Sequence, residues 1–260
     1  MAGRPPSLAA TSDSSGHGSR RCTGSACSLT PRFDLEGPSL SVRQGVQPSV
    51  HSDSAGARLL IYTLLLEALR VALNATDLPI SIRAPLYLSL ALLAVHRGAG
   101  VAWSEIGFRR WRDWNRTEKS YFVQIVIIAN VIFGSVFAAG LKAQLGGPDA
   151  ASVIWLVFVP LLFLGFYQEV IYRGMLQTEL VRRCGPAAGL LIANVLYTFS
   201  PGHYDYFSSP RAVAVPMFAA IFAMGLVFAM IYRKSGNLWI VAVMHALGNA
   251  YIVTGGQRFH

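Results

Sequence analysis

The chain has 260 residues, of which 53% are hydrophobic and only 13% are charged, and its mean hydropathy is +0.44. A soluble domain carries about 25% charged residues, so this composition excludes an ordinary soluble protein and predicts an all-α, polytopic helical membrane protein. The net charge of +9 does not indicate nucleic-acid binding, because the basic residues lie mostly at the ends of apolar runs. We therefore expect membrane lipid, and no nucleic acid, among the partners.

The first 56 residues differ in character from the rest of the chain. Residues 1–56 are rich in Ser, Gly, Pro and Arg and have few large apolar side chains, which predicts a disordered tail. Cys22 and Cys27 lie in this tail without a second pair, so we interpret them as incidental thiols and not as half of a metal site. Residues 57–256 are predicted to form the helical membrane domain.

Seven apolar segments follow the tail, and each is a candidate transmembrane helix. The connection between the second and third segments mixes Trp103, Phe108, Trp111 and Trp114 with arginines, a composition typical of an interfacial helix. The prediction is thus about seven transmembrane helices plus one interfacial helix. The seven segments are residues 59–75, 85–102, 119–141, 152–172, 186–200, 212–232 and 237–254.

Lysines and arginines are concentrated in alternate loops, a bias that places those loops in the cytoplasm. By this rule the N-terminus is cytoplasmic. The sequence shows no internal repeat, which disfavours, without excluding, a proton-coupled transporter.

Polar and ionisable side chains stand out within or beside the apolar segments, where such groups are expensive and usually functional. Glu67 and Arg70 are three residues apart and can pair on one helical face, which a structural ion pair explains. His245 and Asn249 are four residues apart and share a face, and His203 follows a Pro-Gly break. The stretch FYQEVIYRGMLQ carries the rest of the set: Gln168, Glu169 and Arg173.

Two chemistries fit these residues. Glu169, His203 and His245 match the ligand set of a zinc site that keeps a position for water. Without a metal, Glu169 could take a proton from water while a histidine or Asn249 stabilises an oxyanion. Arg173, one turn from Glu169, would keep that carboxylate ionised and oriented. Both schemes lead to hydrolysis of an acyl bond.

Three motifs in this order resemble those of the CPBP family, the intramembrane proteases related to the CAAX prenyl endopeptidase and to bacterial Abi proteins. Residues 168–173 resemble its Glu-Glu-x-x-x-Arg motif, FSPGH at 199–203 resembles Phe-x-x-x-His, and HALGN at 245–249 resembles His-x-x-x-Asn. The resemblance covers about residues 85–255. It implies an intramembrane endopeptidase whose catalytic positions are Gln168, Glu169, Arg173, His203, His245 and Asn249.

The resemblance also implies a mechanism without a cofactor, with zinc as the alternative. It implies peptide or protein substrates, some of them lipid-modified, cleaved in membrane-proximal or C-terminal segments. The expected location is a bacterial inner membrane.

The chain departs from the family pattern at its first motif position, where Gln168 replaces the glutamate that would activate water. Glutamine cannot take a proton from water. Three explanations stay open: Glu169 acts as the base instead, the chain is a pseudoprotease that binds without cleaving, or the glutamine was introduced to trap substrate.

Overall fold

The computed structural model describes residues 53–256, and every regular element in that range is helical. The predicted all-α class is therefore confirmed. Three short 3-10 helices occupy Trp103–Ile106, Trp111–Asp113 and Pro201–Ser208. Within the described range the α-helices are α1 (Asp53–Asn74), α2 (Ile80–Leu93), α3 (Arg116–Val136), α4 (Ala138–Leu145), α5 (Ala150–Cys184), α6 (Pro186–Thr198), α7 (Arg211–Ser235) and α8 (Leu238–Gly255).

Four of the described helices, α3, α5, α7 and α8, are long and apolar enough to cross a membrane, and the chain is an integral membrane protein. All seven predicted segments fall on helices, but the count of seven crossings stays a prediction. Helix α6, for example, has 13 residues and spans ~20 Å at ~1.5 Å per residue, short of a ~30 Å hydrocarbon core.

The tail predicted for residues 1–56 lies outside the described residues, except for 53–56, which form the first turn of α1. The cytoplasmic position of the N-terminus stays a prediction.

The predicted interfacial helix between the second and third segments does not form, and two 3-10 turns take its place. The reason lies at Gly107, whose φ of +88° ends the first turn and whose carbonyl accepts a hydrogen bond from Leu238 N–H at 2.9 Å. A Cβ at this position would lie 2.7 Å from the Tyr232 ring. The connection therefore packs onto the start of α8, and its backbone cannot continue as a helix.

Helix α5 is the centre of the domain and packs most extensively against α8 and α2. Residues 167–177 of α5 are all buried, and most of them form a π-helical stretch, Val170–Gln177. At Gly165 a Cβ would lie 2.5 Å from the Cα of Ala246, so only glycine allows α5 and α8 to approach this closely. This contact brings Glu169, one turn further along α5, beside α8.

Candidate active site

The centre of the site is a fully buried carboxylate that contacts an imidazole and a guanidinium. Glu169 is 0% exposed, and its Oε1 lies 2.7 Å from Nδ1 of His245. Its Oε2 lies 3.5 Å from Nε of Arg173, one helical turn away. Both carboxylate oxygens therefore face a nitrogen of a basic side chain.

Arg173 is held by further contacts on the side away from Glu169. Its Nη2 donates to the carbonyl of Gly225 in α7 at 3.0 Å. Its guanidinium carbon lies 4.6 Å from the ring centroid of Tyr197, within cation–π range. These contacts hold the guanidinium in place beside Glu169.

Gln168 and Asn249 form a second pair across the same helix interface. Asn249 Nδ2 donates to Gln168 Oε1 at 2.9 Å. Asn249 lies one turn beyond His245 on α8, just as the i, i+4 spacing predicts. Two amides therefore occupy the position where the family pattern has a carboxylate beside an amide, and neither amide titrates.

His203 reaches the site because α6 is short and the chain turns into the 3-10 helix Pro201–Ser208. Its Nδ1 lies 3.0 Å from the carbonyl oxygen of Thr198 and 3.2 Å from that of Tyr197. A carbonyl can only accept, so Nδ1 carries the hydrogen and Nε2 is left as an acceptor. Burial lowers the pKa of His203 to about 4, against the raising effect of the Thr198 hydrogen bond, so the ring is neutral at pH 7.

Tyr197 connects the two histidines and was not among the residues singled out from the sequence. Its ring centroid lies 5.3 Å from that of His203 and 5.9 Å from that of His245. Its hydroxyl lies 3.5 Å from Nε2 of His245. The sequence gives no signal for it, because the burial of Tyr197 and of Asn194 on the same face of α6 is seen only in the structure.

The six predicted site residues thus fall into three groups: Glu169 with His245 and Arg173, Gln168 with Asn249, and His203 with its backbone carbonyls. Tyr197 contacts the first and the third group. The roles assigned to them from the sequence stay predictions.

The predicted zinc alternative requires Glu169, His203 and His245 to converge. Among the described residues, no group of three or more His, Cys, Asp and Glu side chains lies in an arrangement that could hold a metal ion. The Arg173 cation beside Glu169 would also repel a divalent cation. The donor set does not fit a zinc ion in this arrangement, and metal content itself stays a matter for measurement.

The family comparison agrees with the motifs. No curated protein and no solved structure is found to match the chain. Residues 150–251, which run from the start of α5 to within α8 and include all six site residues, match a family model. Its description is "Type II CAAX prenyl endopeptidase Rce1-like". The resemblance to the CPBP proteases is therefore confirmed over residues 150–251, which are similar to the Rce1-like type II CAAX prenyl endopeptidases.

Proposed function

We propose that this protein is an intramembrane endopeptidase that hydrolyses a peptide bond in a membrane-proximal or C-terminal segment of a protein substrate, including segments that carry a lipid. The observation that carries the proposal is the 2.7 Å contact between Glu169 and His245 in the buried centre of a membrane domain. The family match supports the same class of activity.

The contacts support a division of roles between the carboxylate and the imidazole. With Glu169 accepting from Nδ1–H, His245 presents Nε2 as the proton acceptor, and the carboxylate stabilises the imidazolium that forms. Oε1 of Glu169 takes the contact with His245, and Oε2 faces the Arg173 cation at 3.5 Å without a hydrogen bond. Its contacts therefore favour an orienting role over the role of direct base that the sequence predicts.

In the proposed reaction, His245 Nε2 takes a proton from water, and the water oxygen attacks the substrate carbonyl carbon. The developing oxyanion accepts hydrogen bonds from amide N–H groups, for which Asn249 and Gln168 have donors left over after their mutual bond. His245 then returns the proton to the leaving amine as the C–N bond breaks. In this proposal His203, whose Nδ1 bonds to backbone carbonyls, holds the attacking water through Nε2.

A second candidate, a pseudoprotease that binds such segments without cleaving them, is favoured by one observation. The Gln168–Asn249 pair contains two amides, so the residue that would activate water in the family pattern is missing. General-base catalysis contributes ~10²–10⁴-fold in rate, and a chain that loses it would keep its binding site.

Cleavage of a peptide library by the protein in lipid nanodiscs separates the two candidates. The library contains C-terminal and membrane-proximal segments with and without a prenyl group. A protease cleaves part of the library, and His245→Gln lowers the rate by ~10²–10⁴-fold. Thr254→Val, a change at a buried residue near the end of the same helix, is the matched control and keeps the rate. Saturable binding without cleavage by the wild type would support the pseudoprotease instead.

Metal content is measured on the same sample. The proposal predicts less than one zinc per chain and no effect of a chelator on the rate. Stoichiometric zinc with chelator-sensitive cleavage would replace the His245 mechanism with a metal-dependent one.

A further inference from the structure

A second buried ion pair lies in α1, outside the residues that match the family model, and the chemistry above does not use it. Arg70 Nη2 lies 2.8 Å from Oε2 of Glu67, and the two side chains are only 2% and 13% exposed. Burying an ion pair costs more than burying apolar residues of similar size unless its contacts are excellent. Its contacts therefore indicate what the pair does.

Arg70 lies against the backbone of the segment that carries His203. A Cβ at Gly202 would lie 2.6 Å from Nη1 of Arg70, and Nη2 lies 3.5 Å from Oγ of Ser200. Ser200 is itself the anchor of this turn, because its carbonyl accepts the His203 N–H at 2.9 Å and its Oγ lies 3.4 Å from His203 Nδ1. The guanidinium thus supports the turn directly behind the imidazole.

Glu67 contacts the other side of the site, the buried stretch of α5. The Tyr167 hydroxyl lies 3.3 Å from Oε1 of Glu67 and 3.2 Å from the carbonyl of Leu66. Tyr167 directly precedes Gln168, so the ion pair on α1 contacts the first motif through Glu67 and the second motif through Arg70.

We propose that Glu67 and Arg70 are positioning residues that hold the segment 200–203 against α5, so that His203 faces the Glu169–His245 pair. The effect on cleavage rests on the proposed function, whereas the effect on the segment itself does not. A pair with a merely structural role would change the stability of the whole domain and leave the geometry at His203 intact in the molecules that stay folded.

The first test measures kcat and KM separately in nanodiscs. Arg70→Ala is expected to lower kcat by ~10–100-fold with KM within about threefold of the wild type, since the turn carries a group that acts on water. Arg70→Lys, which keeps the charge, restores at least half of the lost kcat on a logarithmic scale. Arg109→Ala is the matched control because it breaks the partly buried Arg109–Glu118 pair at the start of α3, and it leaves kcat unchanged.

The second test uses the close approach at Gly202. Gly202→Ala in the wild type is expected to lower kcat about tenfold, because the new methyl group displaces the guanidinium. In the Arg70→Ala background that space is free, so the same change has less than a twofold effect. Residues in direct contact show such non-additivity, whereas independent sites add. Equal effects in both backgrounds would overturn the proposed contact.

Hydrogen exchange gives a readout that does not depend on activity. Arg70→Ala is expected to raise amide exchange at least tenfold in residues 199–209 and to leave residues 238–255 unchanged. If exchange changes in this way while the wild type cleaves nothing, the positioning stands and the proposed function fails. If the wild type cleaves, and Arg70→Ala matches it in both kcat and exchange, the positioning is refuted. Should Arg70→Ala fail to fold, Arg70→Lys and Gly202→Ala are compared with the wild type in kcat and in hydrogen exchange of residues 199–209. If neither variant differs from the wild type in either measurement, the positioning is refuted.

Discussion

Glu169–Arg173 and Glu67–Arg70, two acid–base pairs inside the described helices, are alike in composition and differ in what lies beside the carboxylate. In α5, Glu169 lies 3.5 Å from Arg173, and its other oxygen contacts an imidazole. In α1, Glu67 lies 2.8 Å from Arg70, and its other oxygen contacts the Tyr167 hydroxyl. A neutral imidazole has a ring nitrogen that can accept a proton, whereas a phenol is a weak acid that keeps its proton.

In the function proposed above, that difference separates a pair that takes part in chemistry from a pair that holds structure. Both pairs pay the cost of burial, but only the pair in α5 can accept a proton from water through its neighbour. We infer that the function of an intramembrane ion pair depends on the third side chain that contacts its carboxylate, here the His245 imidazole or the Tyr167 phenol. The predictions below break or sharpen this contrast.

Removing the charge from each carboxylate should affect the two pairs very differently. Glu169→Gln is expected to lower kcat/KM by ~10²–10⁴-fold, because His245 loses the group that orients it and stabilises its protonated form. Glu67→Gln is expected to lower it no more than ~10²-fold. The rates are measured side by side in nanodiscs with the peptides that the wild type cleaves. Equal losses in the two variants would remove the distinction.

Restoring the carboxylate that the family pattern calls for should raise activity. Gln168→Glu places a titratable group beside Asn249 and is expected to raise kcat up to ~10²-fold, the lower end of a general-base contribution. Gln168→Asn, which keeps an amide, is the control and gives no gain. A lower rate in Gln168→Glu than in the wild type would mean that the carboxylate disturbs the Glu169–His245 pair.

The contact between α5 and α8 should be sensitive to one methyl group. Gly165→Ala is expected to destabilise the domain by ~1–3 kcal/mol, the cost of overpacking, because its Cβ would lie 2.5 Å from the Cα of Ala246. Gly248→Ala, on α8, is the matched control, since its Cβ would lie 3.6 Å from the Phe133 ring in ordinary contact. Unfolding in mixed micelles measures both. If Gly248→Ala costs as much, the close approach at Gly165 is not the cause.

The smallest expected effect concerns acid stability. The pKa of His203 is lowered to about 4 by burial, whereas an unfolded histidine titrates near 6.5. Between these values the unfolded chain binds a proton that the folded chain does not, so this contribution to stability is complete above pH 6.5 and falls as pH drops towards 4. His203→Gln should flatten the slope of unfolding free energy against pH by up to one proton. An unchanged slope would contradict the burial of a neutral ring.

The sequence singled out the candidate site residues but not their surroundings, and the roles of those residues stay predictions. Fixed spacing within one helix made the Glu67–Arg70 and His245–Asn249 relations predictable, because helical geometry places i, i+3 and i+4 on one face. The site set was predictable because ionisable groups are rare in apolar segments.

The unpredicted parts of the fold and the site depend on contacts between helices, which hydropathy does not encode. Apolar residues have the same hydropathy whether they face lipid or protein. The sequence therefore did not distinguish α3, which has 6% of its apolar window buried inside the protein, from α8, which has 56%. For the same reason Tyr197, Tyr167 and the close approach at Gly165 could not be predicted. The predicted interfacial helix is wrong because a glycine with positive φ and a hydrogen bond to α8 override a helical composition.

The central claim is that Glu169 and His245 act as one unit, and a double-mutant cycle on kcat/KM tests it most directly. The wild type, Glu169→Gln, His245→Gln and the double variant are compared in nanodiscs with one cleaved peptide. Residues that act as a unit are strongly non-additive, so the double variant should be no more than about threefold slower than the slower single variant. A double variant whose loss equals the product of the two single losses would contradict the account.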